Sequence, residues 1–219
     1  TGTNSDGQGM SIVASGSVTL AAAATSPQTG VLITGGSSKV PVGELLLTAS
    51  VEDISLSRIL FQTVNAVNSG ALNDEFTRVY LFDGDTQVAS AAPTTTAAIT
   101  FTGLDGLFNV PKGSTGKKLA IKVDVAAVTN QAADGNTADS GDGVSFDIAE
   151  DAFSFKGVSS GATIAAGSAN GTFTGQQFTV YRSLPTWAKV ELSTSDTTLS
   201  NGGGRPLFKF KLTADAKGD

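Results

Sequence analysis

Apolar and polar residues alternate with a period of two along several short stretches of this chain. Residues 119–125 carry Leu, Ile, Val and Val at every second position, and residues 99–101, 144–148 and 178–180 follow the same rule. Such alternation predicts strands with one face on a core and the other in water, as in antiparallel sheets. Glycine-rich turns separate these stretches at intervals of roughly 10 to 15 residues, which is typical of an all-β sandwich.

Two further stretches extend this strand-forming pattern. Residues 78–88 contain Asp83-Gly84-Asp85 between two apolar runs, and the glycine supplies the positive φ that a tight hairpin turn requires. Residues 51–67 have apolar positions that fit either a short helix or a bent strand, and the flanking Ser and Thr favour the strand. The pattern therefore predicts about nine strands before residue 183.

A new pattern begins after Pro185. Proline favours an extended backbone at the start of a strand, and it has no N–H group to donate to a neighbouring strand inside a sheet. Within residues 208–212, Phe, Phe and Leu alternate with Lys. The sequence Leu-Thr-Ala occurs at 47–49 and again at 212–214, each time before a charged turn. This short repeat predicts that a modular unit begins twice in the chain.

Composition narrows the possible functions. The 219 residues include no His and no Cys, which excludes thiolate nucleophiles, imidazole acid–base catalysis and metal sites built on either side chain. The net charge of −6 disfavours nucleic acids and anionic membranes as partners, because both attract basic surfaces. No apolar run approaches the ~18 residues of a membrane-spanning helix. We therefore expect a protein that is not an enzyme, binds no nucleic acid and has no transmembrane segment.

The acidic loop at residues 130–143 is the best candidate for binding chemistry. It offers Asp134, Asn136, Asp139 and Asp142 as oxygen ligands on a glycine-rich segment, and such ligands suit Ca²⁺. The spacing departs from the helix–loop–helix calcium pattern, because the fifth and twelfth positions counted from Asp134 carry Ala and Ser. The alternative is a solvated hairpin loop, in which Asp, Asn and Gly are the expected turn residues.

Four short motifs consist of strand and turn residues. They are Leu-Phe-Asp-Gly at 81–84, the Phe108–Gly113 segment, the stretch from Leu199 to Phe210, and Thr-Ala-Asp at 213–215. Together they resemble the Ig-like β-sandwich modules of bacterial cell-surface repeat proteins, of the surface-layer or pilus-like kind. Motifs of this type indicate fold far better than function. The resemblance covers most of residues 25–219 and implies an exported structural protein that polymerises or coats the cell.

The patterns and the resemblance predict an all-β fold: an Ig-like antiparallel β-sandwich followed by the first strands of a second, incomplete sandwich module. We expect residues 1–24 to be a flexible N-terminus and first strand, and 25–183 to be the sandwich. Residues 184–219 would start a second β module or form a donor-strand segment. Because two strands alone are not stable in water, a longer array or another subunit is expected to complete this unit.

The expected function is that of a structural subunit in an extracellular, cell-surface assembly: a surface layer or a pilus-like filament of identical copies. The C-terminal strand would pair with a neighbouring sheet, because alternate side chains of an added strand fill the partner's core. The assembly residues in this interpretation are Trp187, Leu207, Phe208, Phe210 and Leu212. The alternative is an adhesin or a carbohydrate-binding module, in which exposed aromatic rings stack on cell-surface glycans.

Overall fold

Strands provide almost all the regular structure in the computed structural model, which describes residues 16–27, 30–63, 71–95, 97–128, 138–148, 152–164, 169–170, 173–197 and 206–215. The strands of the first half are β1 (Ser17–Ala22), β2 (Val31–Thr34), β3 (Val40–Ser50), β4 (Ile54–Gln62), β5 (Phe76–Asp83), β6 (Thr86–Ala91), β7 (Ala98–Thr102), β8 (Asn109–Val110) and β9 (Lys117–Val125). Those of the second half are β10 (Gly143–Val144), β11 (Asp147–Ile148), β12 (Phe153–Gly157), β13 (Thr163–Ile164), β14 (Ala169–Asn170), β15 (Phe173–Thr174), β16 (Phe178–Tyr181), β17 (Thr186–Val190) and β18 (Lys209–Thr213). The short helices α1 (Leu72–Glu75) and α2 (Thr194–Thr197) are described as well. No helix in these ranges is long and apolar enough to cross a membrane.

The strands pair into two large sheets and two small ones. The first large sheet has six strands in the order β14-β1-β3-β9-β5-β6 and is antiparallel apart from the pair β1–β14. The second has the order β13-β12-β4-β11-β15, and its strand β4 also pairs with β7 and β8. A three-stranded sheet, β10-β16-β2, contains the parallel pair β16–β2, and β17 pairs with β18 in a two-stranded ribbon. The predicted all-β sandwich fold is confirmed.

Apolar side chains from both large sheets form one continuous core. In β9, Leu119, Ile121 and Val123 are fully buried and alternate with half-exposed neighbours, as predicted. Within the stretch that fitted either a helix or a strand, residues 54–62 form the strand β4, whose Phe61 is fully buried. Because these side chains belong to the same cluster, hydrophobic packing holds the two sheets face to face.

Residues 143–148, the crossing segment, differ from the prediction of one strand with a solvated face. They form β10 and β11, which pair with different sheets, and both faces are buried. The polar side chains of Ser145 and Asp147 are only 1% and 4% exposed. Their burial is tolerated because Ser145 Oγ donates to Asp147 Oδ2 at 2.8 Å and the Gly175 amide donates to Oδ1 at 2.8 Å. A segment that passes between sheets has no solvent side, so the period-two rule does not apply to it.

Phe146 in the crossing segment connects the two large sheets. Its ring centroid lies 6.1 Å from that of Phe61 on β4 and 5.4 Å from that of Phe76 on β5. Phe61 in turn meets Phe101 on β7 edge-on, at 6.1 Å. Aromatic pairs at such separations add to the free energy gained from burial alone. The chain of rings therefore crosses the core from one sheet to the other.

We expect Phe146→Ala to lower the free energy of unfolding by about 3–5 kcal/mol, because it leaves a cavity that two packed sheets cannot close. Leu107→Ala is the control, since it removes an apolar side chain that is 56% exposed and lies outside the core. The control should change stability by about 0.5 kcal/mol or less. Urea unfolding followed by circular dichroism measures both values. Equal losses would contradict the connecting role of Phe146.

Candidate functional site

The two-stranded ribbon places four large apolar side chains on one face, which they share with Lys189. Its register sets Trp187 opposite Leu212 and Lys189 opposite Phe210, and directly opposed residues of an antiparallel pair share a face. Phe208, two positions before Phe210, has its ring 6.1 Å from that of Phe210. We call the side chains of Trp187, Phe208, Phe210 and Leu212 the apolar ribbon face.

The apolar ribbon face is open to solvent. Its members Trp187, Phe208, Phe210 and Leu212 are 68%, 56%, 63% and 63% exposed, and the adjacent Leu207 is 92% exposed. Within the described ranges, β17 and β18 pair only with each other. Exposed apolar patches on soluble domains mark surfaces that pack against another molecule or module. The structure thus exposes all five predicted assembly residues and places four of them on one face of the ribbon.

The opposite face of the ribbon is mixed: it carries lysines together with smaller apolar side chains. Lys209 and Lys211 lie across from Val190 and Ala188, so the alternation of Phe and Leu with Lys is confirmed by the register. Because one face suits burial and the other suits water, the ribbon is an amphipathic strand pair. Whether it begins a second module stays a prediction.

Three buried acidic side chains form a second candidate site, which we call the carboxylate cluster: Glu75, Asp139 and Asp142. Glu75 ends α1, and its backbone carbonyl accepts the Ala126 amide at 2.8 Å. The two aspartates lie in residues 138–142, the acidic segment. All three side chains are at most 1% exposed. Acidic residues are rarely buried so completely unless a positive charge or a metal compensates them.

Hydrogen bonds attach the acidic segment to the strand that leads into the ribbon. The Gly141 amide donates to the Val180 carbonyl at 2.7 Å, and the Val180 amide donates to the Asp142 carbonyl at 2.8 Å. The Arg182 amide donates to Ser140 Oγ at 3.3 Å. The acidic segment therefore connects the carboxylate cluster to β16 and to Arg182, which precedes the ribbon.

The carboxyl group of Glu75 lies where a negative charge is unfavourable. Neither of its oxygens accepts a hydrogen bond of normal geometry from a described residue, and a weak interaction with the Asp139 amide, which favours the charged form, is the smallest of the influences on its pKa. Burial is the largest cause that raises the pKa of Glu75 to about 8, and repulsion from Asp142, Asp139 and Asp74 adds to it. At neutral pH this carboxyl therefore holds a proton unless a cation compensates its charge.

Two of the four predicted calcium ligands lie with a third carboxylate. Asp139 and Asp142 are buried, so the alternative of a solvated loop is wrong for these two residues. Asp134 and Asn136 lie outside the described residues. In the part of the chain that the structure describes, no group of three or more acidic side chains is arranged to hold a metal ion by itself. Calcium binding stays a prediction.

Glu75 is the member of the cluster that sequence reasoning missed. It directly precedes Phe76, the first residue of β5. The pair Asp74-Glu75 next to an apolar strand is a weak signal, because acidic residues beside strands are usually solvated. The two aspartates that act on the pKa of Glu75, Asp139 and Asp142, are distant in the sequence.

We expect the stability of this chain, measured with a chelator present, to fall as the pH rises from about 5 to 9. Because the folded-state pKa of Glu75 is raised from 4.5 to about 8, its contribution is fully present below pH 4.5 and is lost as the pH rises through 8. The expected loss is roughly 2–5 kcal/mol. Since the sequence has no His and no Cys, neither type of side chain obscures this window.

Glu75→Gln removes the titrating group at nearly constant shape. In urea unfolding, this variant should lose the pH dependence and exceed the parent in stability near the folded-state pKa of about 8. Asp85→Asn removes one charge from an exposed turn and is the control that should keep the pH dependence. A parent whose stability does not change over this pH range would show that Glu75 is charged in the folded chain.

Comparison with known proteins assigns no family to this chain. No protein-family model matches it, and no curated protein matches its sequence. Its function must therefore be inferred from the ribbon and the carboxylate cluster.

Proposed function

We propose that this chain is a non-catalytic structural subunit of an extracellular assembly, in which copies join through strand pairing at the two-stranded ribbon. The observation that carries this proposal is the apolar ribbon face, whose four large side chains are each more than half exposed. A surface layer or a pilus-like filament at the cell surface is the kind of assembly we infer. The resemblance of the turn and strand motifs to such modules agrees with it.

Strand pairing is favoured because both strands of the ribbon keep an open edge. Thr186–Val190 and Lys209–Thr213 pair with each other and with no further strand in the described ranges. The outward backbone N–H and C=O groups of such edges are templates for an added strand. A two-stranded ribbon is only marginally stable alone in water. Pairing with another sheet would complete its backbone hydrogen bonds and cover its apolar face.

The acceptor that we infer is β6 of a second copy. β6 is the edge strand of the six-stranded sheet, and its sequence Thr-Gln-Val-Ala-Ser-Ala contains neither a charged residue nor a proline. Charges and prolines are the usual means by which proteins block an edge strand. Val88, Ala89 and Ala91 pack against the core but stay half-buried. A ribbon that pairs with this edge would extend the six-stranded sheet. The apolar ribbon face would then lie beside the side chains of Val88, Ala89 and Ala91.

Burial of the apolar ribbon face supplies the driving force. Covering Phe208, Phe210 and Leu212, each more than half exposed, contributes on the order of 3–5 kcal/mol before ordering costs. Lys209 and Lys211 remain in water on the opposite face. Because the ribbon and β6 are different surfaces, each copy can donate to one neighbour and accept from another. Such a head-to-tail contact produces a filament or lattice when it does not close into a ring.

Phe210→Asp should abolish assembly, because it places a charge at the centre of the apolar ribbon face. Lys211→Asp introduces the same side chain on the opposite face of the same strand and should leave assembly intact. Electron microscopy and light scattering measure assembly, and circular dichroism checks that the sandwich of both variants stays folded. Polymers from Phe210→Asp, or equal disruption by both variants, would count against the ribbon as the assembly element.

The absence of cysteine from the sequence allows a direct test of the acceptor strand. Copies with Lys211→Cys in β18 should form disulfides with copies that carry Gln87→Cys in β6 when the two are mixed and oxidised. Leu107→Cys, at an exposed position between β7 and β8, is the control acceptor and should not cross-link. Non-reducing electrophoresis separates the outcomes. Equal cross-linking at both acceptors would exclude specific pairing with β6.

Trp187 favours a second candidate function, that of an adhesin or a carbohydrate-binding module. Its indole ring is 68% exposed and lies on the same face as Phe210, where a sugar ring could stack. Tyr80 adds no further platform, because it is buried and donates to Asp124 Oδ2 at 2.6 Å. Monomers in the assembly experiment, together with a glycan that raises the Tm, would favour this function instead.

A further inference from the structure

We propose that a polar groove on the outer face of the second large sheet, the sheet groove, binds a neutral carbohydrate. Its floor belongs to β4, and its two walls are the β7–β8 connection at residues 103–108 and the β12–β13 connection at residues 158–162. The cavity volume is about 480 Å³, within the range of roughly 300–1,000 Å³ that small-molecule sites occupy. The sheet groove shares no residue with the ribbon, so its ligand does not depend on the proposed assembly.

A row of three polar side chains crosses the floor of the sheet groove. Ser55 of β4 pairs with Asn109 of β8 on one side and with Lys156 of β12 on the other. Because Ile54 and Leu56 are fully buried in the core, the alternation along a strand places Ser55 on the opposite face of the sheet. Directly opposed residues of paired strands share a face, so Asn109 and Lys156 lie beside Ser55.

The sheet groove offers hydrogen-bond donors and acceptors that the described residues leave unused. Among those residues, neither the Lys156 ammonium group nor the side-chain amide of Asn109 has a hydrogen-bond or ion-pair partner. Asp105 accepts one serine hydroxyl through Oδ1, which leaves Oδ2 as an acceptor for a ligand. The Gly106 amide donates to Ser55 Oγ at 2.7 Å, so the hydroxyl proton of Ser55 can be donated to a ligand.

A strained turn holds the β12–β13 wall of the sheet groove in place. Val51 has a φ of 72°, in the left-handed region that a β-branched residue rarely adopts. It directly precedes Glu52, whose carboxylate accepts the amides of Ser159 and Ser160 at 3.2 and 3.0 Å and the Ser160 hydroxyl at 2.8 Å. A Cβ atom at Gly157 would collide with this carboxylate. Strained backbone of this kind is concentrated at ligand-binding and active sites, and a wall fixed in advance loses little freedom on binding.

The residues that line the sheet groove favour a neutral ligand rich in hydroxyl groups. Asp105 and Lys156 contribute opposite charges, so the lining has no excess charge to attract a polyanion. An added peptide strand is disfavoured, because β4 at Ser55 is already paired on both sides. A sugar hydroxyl donates and accepts at once, so it can bridge a carboxylate and an ammonium group. Leu107 and Val158, one in each wall, are 56% and 54% exposed and offer apolar contacts to the C–H faces of a sugar ring.

The test is calorimetric titration of the full chain with four neutral sugars: maltotetraose, cellotetraose, mannotetraose and chitotetraose. At least one of them should bind at one site per chain, with a Kd in the micromolar to millimolar range. A tetrasaccharide of heparin is the polyanionic comparison and should not bind. Absence of binding by all four neutral sugars, or binding of the heparin tetrasaccharide alone, would overturn the proposal.

Lys156→Ala should raise the Kd of the bound sugar about tenfold or more, because it removes a charged donor from the floor of the sheet groove. Since this ammonium group has no partner among the described residues, the Tm should stay unchanged, which separates lost binding from lost folding. Lys211→Ala makes the same change at an exposed lysine of β18 and should bind as the parent does.

Trp187→Ala distinguishes the sheet groove from the exposed indole ring of the ribbon as the place where a sugar binds. This variant should keep the affinity of the parent, because Trp187 is not part of the groove lining. Loss of binding in Trp187→Ala together with full binding in Lys156→Ala would place the sugar on the ribbon and overturn the assignment.

Discussion

The structure depends on the packing of two sheets around a segment that belongs fully to neither. The crossing segment pairs with β16 through β10 and with β4 and β15 through β11, and Phe146 at its centre contacts rings from both large sheets. The acidic segment directly precedes the crossing segment in the sequence. β16, which pairs with the crossing segment through β10, precedes the ribbon in the sequence. Both candidate sites are therefore attached to the same few residues of the core, which ties their geometry to the packing of the two sheets.

The sequence predicted the fold where each strand has one partner face and one solvent face. The pattern in β9 identified Leu119, Ile121 and Val123 as buried, and turn chemistry placed Gly84, whose φ is 58°, in the β5–β6 hairpin. It failed in the crossing segment, because Ser145 and Asp147 are polar yet buried. A single sequence does not reveal the distant amide of Gly175 that completes their hydrogen bonds. The alternation of apolar and polar residues predicts which side chains are buried only where one face of the strand is exposed to water.

The candidate sites were predictable to different degrees for a related reason. The ribbon is local: its register follows from alternation within two short strands, so the positions of Phe208 and Phe210 could be read from the sequence. The carboxylate cluster is not local, since Glu75 meets Asp139 and Asp142 only after both sheets have formed. Both sites depart from the usual distribution of residues in a folded protein. The ribbon exposes large apolar side chains to water, and the carboxylate cluster buries acidic side chains. Such reversals are expected where function outweighs stability.

The parallel pairing of β16 with β2 determines how the molecule responds to mechanical tension. Phe178–Tyr181 lies beside Val31–Thr34 in parallel register, and the Gly35 amide donates to the Tyr181 carbonyl at 2.8 Å. A pull on the ribbon reaches the sandwich at Tyr181 and acts along the direction of β16. If the opposing pull enters at the start of β2, the two strands are sheared, and their hydrogen bonds must break together rather than one after another. If the chain is the assembly subunit proposed above, this arrangement would let it transmit force between neighbouring copies while its core stays intact.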